Sequence, residues 1–294
     1  MAKVSVIIPS RNETYLRQTV EDVLKHATGE IEILVAFDGP PYTALPDDPR
    51  VIPLYRDYSG LKPCVNAMAA LATGTYLFKS DAHCAYSEGF DQVLAKDHQE
   101  NDITVPRFYT LHAEDWTLQD RIAYDHFYLS CPLTDRKGYR FQAGGYWPER
   151  TQARLDIPID ETMQFQGASW FVTRDFFLNK LGGMSSEGYG NMFMEPPELG
   201  LKTWLGPWGG RVVVNKKAWG AHAHKGKERP RGYGISMREV KRSYGWTANY
   251  WMRNTWQDRA HDLAWLVEKF APIPGWPSNW QELELEYERT HPWP

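Results

Sequence analysis

An aspartate and a histidine two residues apart, Asp81-Ala82-His83, close the short apolar run Tyr76-Leu77-Phe78. On a strand, residues i and i+2 face the same way, so both side chains can reach one cation at the strand's end. A hard carboxylate beside an imidazole suits Mn2+, and Zn2+ is compatible. A cation needs further ligands. The stretch "WGAHAHKGKERPRGYG" (219–234) offers His222 and His224 after another predicted strand. The plain alternatives are a solvated loop for Asp81 and His83 and a structural role for either later histidine. What favours the metal is position, at the mouth of a buried strand with other polar strand ends beside it.

The elements that must hold these residues are legible from periodicity. "VSVIIP" (4–9) is a continuous β-branched run ended by Pro9, as a buried strand should be. Residues 13–29 carry apolar side chains at helical spacing and stop at Gly29. "IEILVAFDG" (31–39) predicts a second buried strand closing on Asp38, "VIPLYR" (51–56) a third, residues 64–74 a small-residue helix and "TYLFKSD" (75–81) a fourth strand. Strands alternating with helices predict a parallel sheet covered on both faces, with ligands beyond the carboxyl ends of the strands. Further on, 103–109 predicts a strand and 116–160 irregular chain, with "AGGYWPER" as a loop. Residues 167–183 predict strand, helix and glycine stop, 196–210 a helix, 211–215 a strand, and the chain from about 220 a basic, aromatic and then helical extension.

Bulk properties narrow the class. The chain has 294 residues, 42% apolar and 24% charged, enough for a substantial core. A net charge of −4 imposes no global demand for nucleic acid or an anionic membrane. Neither a Gly-x-Gly-x-x-Gly turn after the first strand nor a Walker-type loop is present, which argues against a dinucleotide dehydrogenase and a P-loop NTPase. Cys64, Cys84 and Cys131 form neither a metal spacing nor an even disulfide framework. With no signal-peptide pattern and no membrane-length apolar run, the expectation is a soluble, cytoplasmic protein without a membrane span.

The stretches "SVIIPSRNE", "EILVAFDG" and "ATGTYLFKSDAHC" together resemble the nucleotide-binding half of a family 2-type glycosyltransferase of the GT-A fold. Where that family usually carries Asp-x-Asp, this chain reads Asp81-Ala82-His83-Cys84, similar to the D-x-H motif of the polypeptide N-acetylgalactosaminyltransferases. "FQGASWFVTRDFF", "EPPELGLKTW", Gly209-Gly210 and a later histidine follow the same enzymes in order, so the resemblance spans roughly residues 3–225. It implies an α/β GT-A catalytic domain over 1–220, a Rossmann-like mixed sheet flanked by helices, with a nucleotide-binding half (1–100) and an acceptor half (101–220), followed by a basic flap and helical C-terminal extension (221–294). It implies a UDP-sugar donor and Mn2+, or Mg2+, on Asp81, His83 and His222. Asp38 corresponds to the acid that recognises uracil, Pro9 and Arg11 to nucleoside contacts, and Lys62 and Asn66 to a segment near the nucleotide. Glu195 and Glu198 correspond to acids lining the sugar and acceptor pocket. Inverting family 2 members often carry a Glu-Asp pair there, whereas Glu195 precedes Pro196.

A departing diphosphate needs a cation, and Lys225, Lys227, Arg229 or Arg231 could close over it as a flap hinged on Gly226, Gly232 and Gly234. The plain reading of those cations is a solvated loop. The plain reading of Glu195 and Glu198 is a helix start, where acids suit the dipole. As a chemical group Glu195 would be a general base toward the acceptor hydroxyl or, with retained configuration, a positioning acid. A zinc hydrolase on Asp81, His83, His222 and His224 is an alternative, but it lacks a His-Glu-x-x-His pattern and gives Asp38 no task. A non-catalytic sugar-binding protein is another. For the acceptor, residues 225–259 hold nine Lys/Arg against three Asp/Glu, interleaved with Tyr233, Tyr244, Trp246, Tyr250, Trp251 and Trp256. That mixture suits a polyanion and suits still better an amphipathic helix packed on the domain. Resemblance to compact phage-encoded transferases, some of which glycosylate modified bases in DNA, adds a hydroxymethylated base to a saccharide as candidate acceptor.

Overall fold

A computed structural model of the chain describes residues 2–119, 122–136, 138, 140, 141, 145–226 and 229–290. The N-terminal part alternates as the periodicity predicts: β1 (Val4–Ser10), α1 (Leu16–His26), β2 (Ile31–Asp38), β3 (Val51–Arg56), α2 (Leu61–Leu71) and β4 (Tyr76–Ser80). Then come β5 (Cys84–Tyr86), α3 (Phe90–Asp97), β6 (Ile103–His112), β7 (Thr117–Leu118), β8 (Phe127–Tyr128), β9 (Gly145–Tyr146), α4 (Pro148–Ala153), β10 (Ile159–Glu161) and β11 (Ser169–Thr173). After a short π-helical turn, Phe176–Lys180, follow α5 (Glu195–Leu205), β12 (Val212–His222), α6 (Met237–Met252), α7 (Leu263–Phe270) and α8 (Trp280–Thr290). The stretch expected as a loop is more ordered than its composition suggests, since Pro148 starts α4, where proline's missing N–H costs nothing. Ala143 and Gly144 of that stretch lie outside the described residues.

The main sheet runs β10-β12-β6-β11-β4-β1-β2-β3. From β3 to β4 it is parallel, as expected. The parallel run ends at β11, which pairs antiparallel with both β4 and β6, so the whole sheet is mixed, as the resemblance implies. β12 is again parallel to β6. Six strand ends (β1, β2, β3, β4, β6 and β12) therefore finish on one sheet edge, and the chain enters β11 at that same edge. β12 continues to His222, past the boundary expected at residue 220.

Alternation along β1 distributes the core. Val4, Val6 and Ile8 pack with α1 and α3 on one face, while Ile7 packs with α2, α5 and β11 on the other. The second core continues into the C-terminal helices through Ala248, Trp251, Met252, Leu263 and Leu266. Trp251 is 1% exposed, its indole N–H donates to Tyr189 Oη at 2.9 Å, and Tyr244, Trp246, Tyr250 and Trp256 lean on the same core. Of the two readings of this aromatic segment, packing against the domain is the arrangement found.

Candidate functional site

β4 ends at Ser80, and Asp81 and His83 sit in the turn that follows, so strand alternation is not what aligns them. Asp81 is anchored by its own N–H, which donates to Ala168 O at 2.8 Å. β5 then pairs antiparallel with β12, placing Cys84 opposite His222, and Ala223 N donates to His83 O at 3.0 Å. That register brings together two histidines 139 positions apart, with Nε2 to Nε2 at 3.0 Å. Asp81 Oδ2 lies 3.3 Å from His222 Nε2 and 3.8 Å from His83 Nε2. The ligand atoms of Asp81, His83 and His222 all fall within 4.8 Å of one another, the one such group among the described residues.

This donor set fits a divalent cation. One carboxylate and two imidazoles leave coordination positions open, as catalytic sites do. Burial pushes the His222 imidazole down to about 3, so it stands neutral, the form a metal requires. Burial alone would push the Asp81 carboxyl up, but the Lys79 ammonium and the two imidazoles outweigh it and hold the group well below the usual carboxylate range. His224 does not join the cluster. Its Nδ1 lies 3.2 Å from His222 Nδ1, behind the ligand ring, so the four-ligand arrangement of the zinc-hydrolase alternative does not form.

Lys79 organises the site's acids, and the sequence reading passed over it. Its Nζ donates to Asp81 Oδ1 at 2.6 Å and to Gly167 O, and lies 3.5 Å from Glu195 Oε1. Burial opposes its charge, yet Asp81 and Glu195 more than compensate and raise its pKa. A lysine inside "YLFKSD" was itself a signal, since lysine is almost never fully buried unless paired. Glu195 opens α5 behind Met194, which adopts φ +63, a conformation uncommon outside glycine. Its Oε1 accepts from the Trp170 indole at 2.6 Å, and burial pushes its carboxyl up.

These groups border a cavity of about 430 Å³. Pro9, Arg11, Asp38, Asp81, His83, Glu195, His222, Lys225 and Arg231 all line it. Asp38 is fully engaged at its far end. Oδ2 accepts from Arg11, at 2.7 Å from Nε, and Oδ1 accepts from Ser59 N and Gly60 N at the start of α2. Gly60 has φ +102, and a Cβ there would meet Asn191 Cβ at 2.5 Å, so only glycine lets this turn close on Asp38. The Arg11 guanidinium is stacked between Tyr58 and Tyr233, at 5.2 and 5.3 Å from the ring centroids. Glu13, Met192, Tyr233 and the segment Gln166–Ala168 also line the cavity without having been assigned to it from sequence. Segment 166–168 is there because β11 runs antiparallel.

Three sequence candidates lie elsewhere. Glu198 is completely buried outside the cavity and accepts from Lys62 Nζ at 2.6 Å, Lys202 Nζ at 2.8 Å and Ser185 N at 2.6 Å. Lys62 is equally buried, and its ammonium packs 4.2 Å from the Tyr189 ring centroid. Asn66 exchanges hydrogen bonds with the Met184 backbone. α2 turns Lys62 inward toward Glu198 of α5 and Asn66 toward the Met184 backbone, away from the cavity lining. Lys227 lies outside the described residues.

No curated protein sequence matches the chain. Among solved structures, that of GalNAc-T7 with UDP, GalNAc and Mn2+ superposes with a TM-score of 0.66 at 17% identity, over 98% of this chain and 55% of that one. TarS of S. aureus superposes less well, at a TM-score of 0.43 and 13% identity, over 75% of this chain and 37% of that one. The chain thus spans about half, or less, of the length of these proteins, and the first of them shows that it has the expected GT-A fold. No helix among the described residues is long and apolar enough to cross a membrane. The family model for glycosyl transferase family 2 matches residues 5–181, more than half of the chain and most of the site-bearing strands, so the chain belongs to that family.

Proposed function

We propose that the chain is a metal-dependent glycosyltransferase that moves a sugar from a UDP-sugar to a hydroxyl acceptor. The observation that carries this reading is the convergence of Asp81, His83 and His222 at the strand-end cavity of a family 2 fold. A divalent cation held by these three residues supplies positive charge beside the departing diphosphate. Lys225 and Arg231 at the cavity rim add cationic charge for the same phosphates. At the nucleoside end, Asp38 fixes Arg11 between Tyr58 and Tyr233, and the Tyr233 ring lines the cavity where a base would sit. On the sugar side, Glu195, with its raised pKa, is the acid suited to accept the acceptor's proton or to orient its hydroxyl. A panel of UDP-sugars with Mn2+, with zinc alone and with chelator tests the reading. Turnover is expected with Mn2+ and lost with chelator, whereas chelator-resistant turnover would count against it.

The nucleotide end carries its own prediction. Asp38→Ala removes the anchor of Arg11, and UDP affinity is expected to fall by about 1.5–3 kcal/mol, the scale of a charged hydrogen bond. Calorimetry with UDP measures this, and an unchanged affinity, or a preference for a purine nucleotide, would refute it.

For the acceptor, the inward packing of Trp246, Tyr250, Trp251 and Trp256 supports a saccharide over a hydroxymethylated base in DNA. Trp251 is buried, and Trp246, Tyr250 and Trp256 spend part of their surface on the core, while Arg238, Lys241 and Arg242 stay exposed. Label transfer from UDP-sugar to oligosaccharides is expected to vary little with salt. A DNA acceptor would instead show a log–log slope of roughly −0.9 per phosphate contact, and that slope, with transfer to hydroxymethylated DNA, would reverse the choice.

A further inference from the structure

Glu13 stands immediately after the first strand's polar end, in "SRNE", and the chemistry above gives it no task. Its direction is set by Asn12, which adopts φ +48, a left-handed conformation that asparagine tolerates. Asn12 Nδ2 donates to Gly232 O at 2.7 Å, in an approach so close that a Cβ on Gly232 would meet Asn12 O at 2.3 Å. The turn aims Glu13 at the back of the metal cluster. Glu13 Oε2 lies 3.3 Å from His83 Nδ1 and 3.3 Å from Arg229 Nη1. All three side chains are nearly buried, His83 at 8%, Glu13 at 12% and Arg229 at 10% exposure. His83 Nδ1 makes no aligned hydrogen bond. Arg229 is itself fixed, with its Nε donating to Ala223 O at 2.8 Å, one residue past His222.

We propose that Glu13 is a positioning residue of the cation site, accepting the Nδ1–H of His83 while Arg229 holds its carboxylate in place. This rests on the metal reading of Asp81, His83 and His222. A neutral imidazole carries one N–H. A cation on Nε2 forces that proton onto Nδ1, where it needs an acceptor. Left without one, a buried donor keeps its full desolvation cost. A carboxylate at Nδ1 fixes the ring's tautomer and orientation and raises its basicity toward a metal. Arg229 makes this carboxylate tolerable beside Asp81 by offsetting its charge. Because Arg229 and Gly232 belong to the segment that follows β12, the same contacts tie the seating of that segment to the orientation of a metal ligand.

The test uses the full chain and Mn2+ alone. Calorimetry is expected to show Glu13→Ala binding Mn2+ about 10–100-fold more weakly than the wild type, the range for removal of such a partner. Glu13→Gln keeps an acceptor oxygen and should recover part of the loss. Nitrogen-15 NMR of the metal-free protein, at a pH above the ordinary histidine range, should show His83 protonated on Nδ1 in the wild type and shifted toward Nε2–H in Glu13→Ala. A purely structural Glu13–Arg229 pair would alter thermal unfolding but not this tautomer. Folded Glu13→Ala with wild-type Mn2+ affinity overturns the proposal and leaves the metal reading standing. A wild type that binds no Mn2+ overturns both. If Glu13→Ala does not fold, a wild-type His83 carrying its proton on Nε2 overturns the proposal alone.

Discussion

Asp81→Asn is expected to lower sugar transfer by at least 10²–10³-fold, roughly the cost of one preorganised electrostatic contact, and by more where the contact holds a metal. Asparagine preserves the shape of the turn after β4 but removes the charge that Asp81 directs, through Oδ2, toward His83 and His222. The fold should survive, because Lys79 retains Gly167 O and Glu195 as partners. Mn2+ titration, UDP-sugar turnover and thermal unfolding of one preparation separate these effects. The expected pattern is weak Mn2+ binding, negligible transfer and a near-normal melt. Wild-type turnover with unchanged Mn2+ dependence would remove Asp81 from the mechanism.

Glu198→Ala is expected to act on stability. Glu198 and Lys62 are both fully buried, and burial already lowers the Lys62 pKa against the pull of Glu198. Removing the acid takes away the Lys62 ion-pair partner and leaves the buried ammonium only Ser185 O and the Tyr189 ring, and breaking one side of a buried pair typically costs about 3–5 kcal/mol. Chemical denaturation should show that loss. Replacing both residues with apolar side chains, Lys62→Met with Glu198→Leu, should recover the part due to the buried Lys62 charge, while Lys202 Nζ and Ser185 N still lose Glu198 as acceptor. A Glu198→Ala protein with unchanged stability and abolished transfer would instead place Glu198 in the chemistry.

What could be read in advance depended on how local the cause was. β1, β2 and β4 declare themselves in continuous apolar runs, because a strand buried on both faces has no polar side to show. Asp38 and Asp81 were legible for the same reason, as acids at the carboxyl ends of such runs. The aromatic content of 237–256 was legible as composition, and only packing decided that it faces the core, because helical periodicity does not say what covers the apolar side.

The remaining decisions belong to the tertiary structure. No local pattern distinguishes a strand that will run antiparallel, so neither the reversal of β11 nor the placing of 166–168 in the cavity wall could be derived from residues 167–173. Glu195 and Glu198 sit one helical turn apart with similar neighbours, yet Glu195 meets Lys79 and the cavity while Glu198 meets Lys62 in the core. By itself the sequence determined the parallel half of the sheet and the acids at its strand ends, since hydrophobic burial along a strand is a nearest-neighbour property. Only the tertiary structure decided which acids share a cavity, and that His83 and His222, 139 residues apart, face each other at 3.0 Å. The β5–β12 pairing that joins them is a long-range register, set by the packing of the whole sheet.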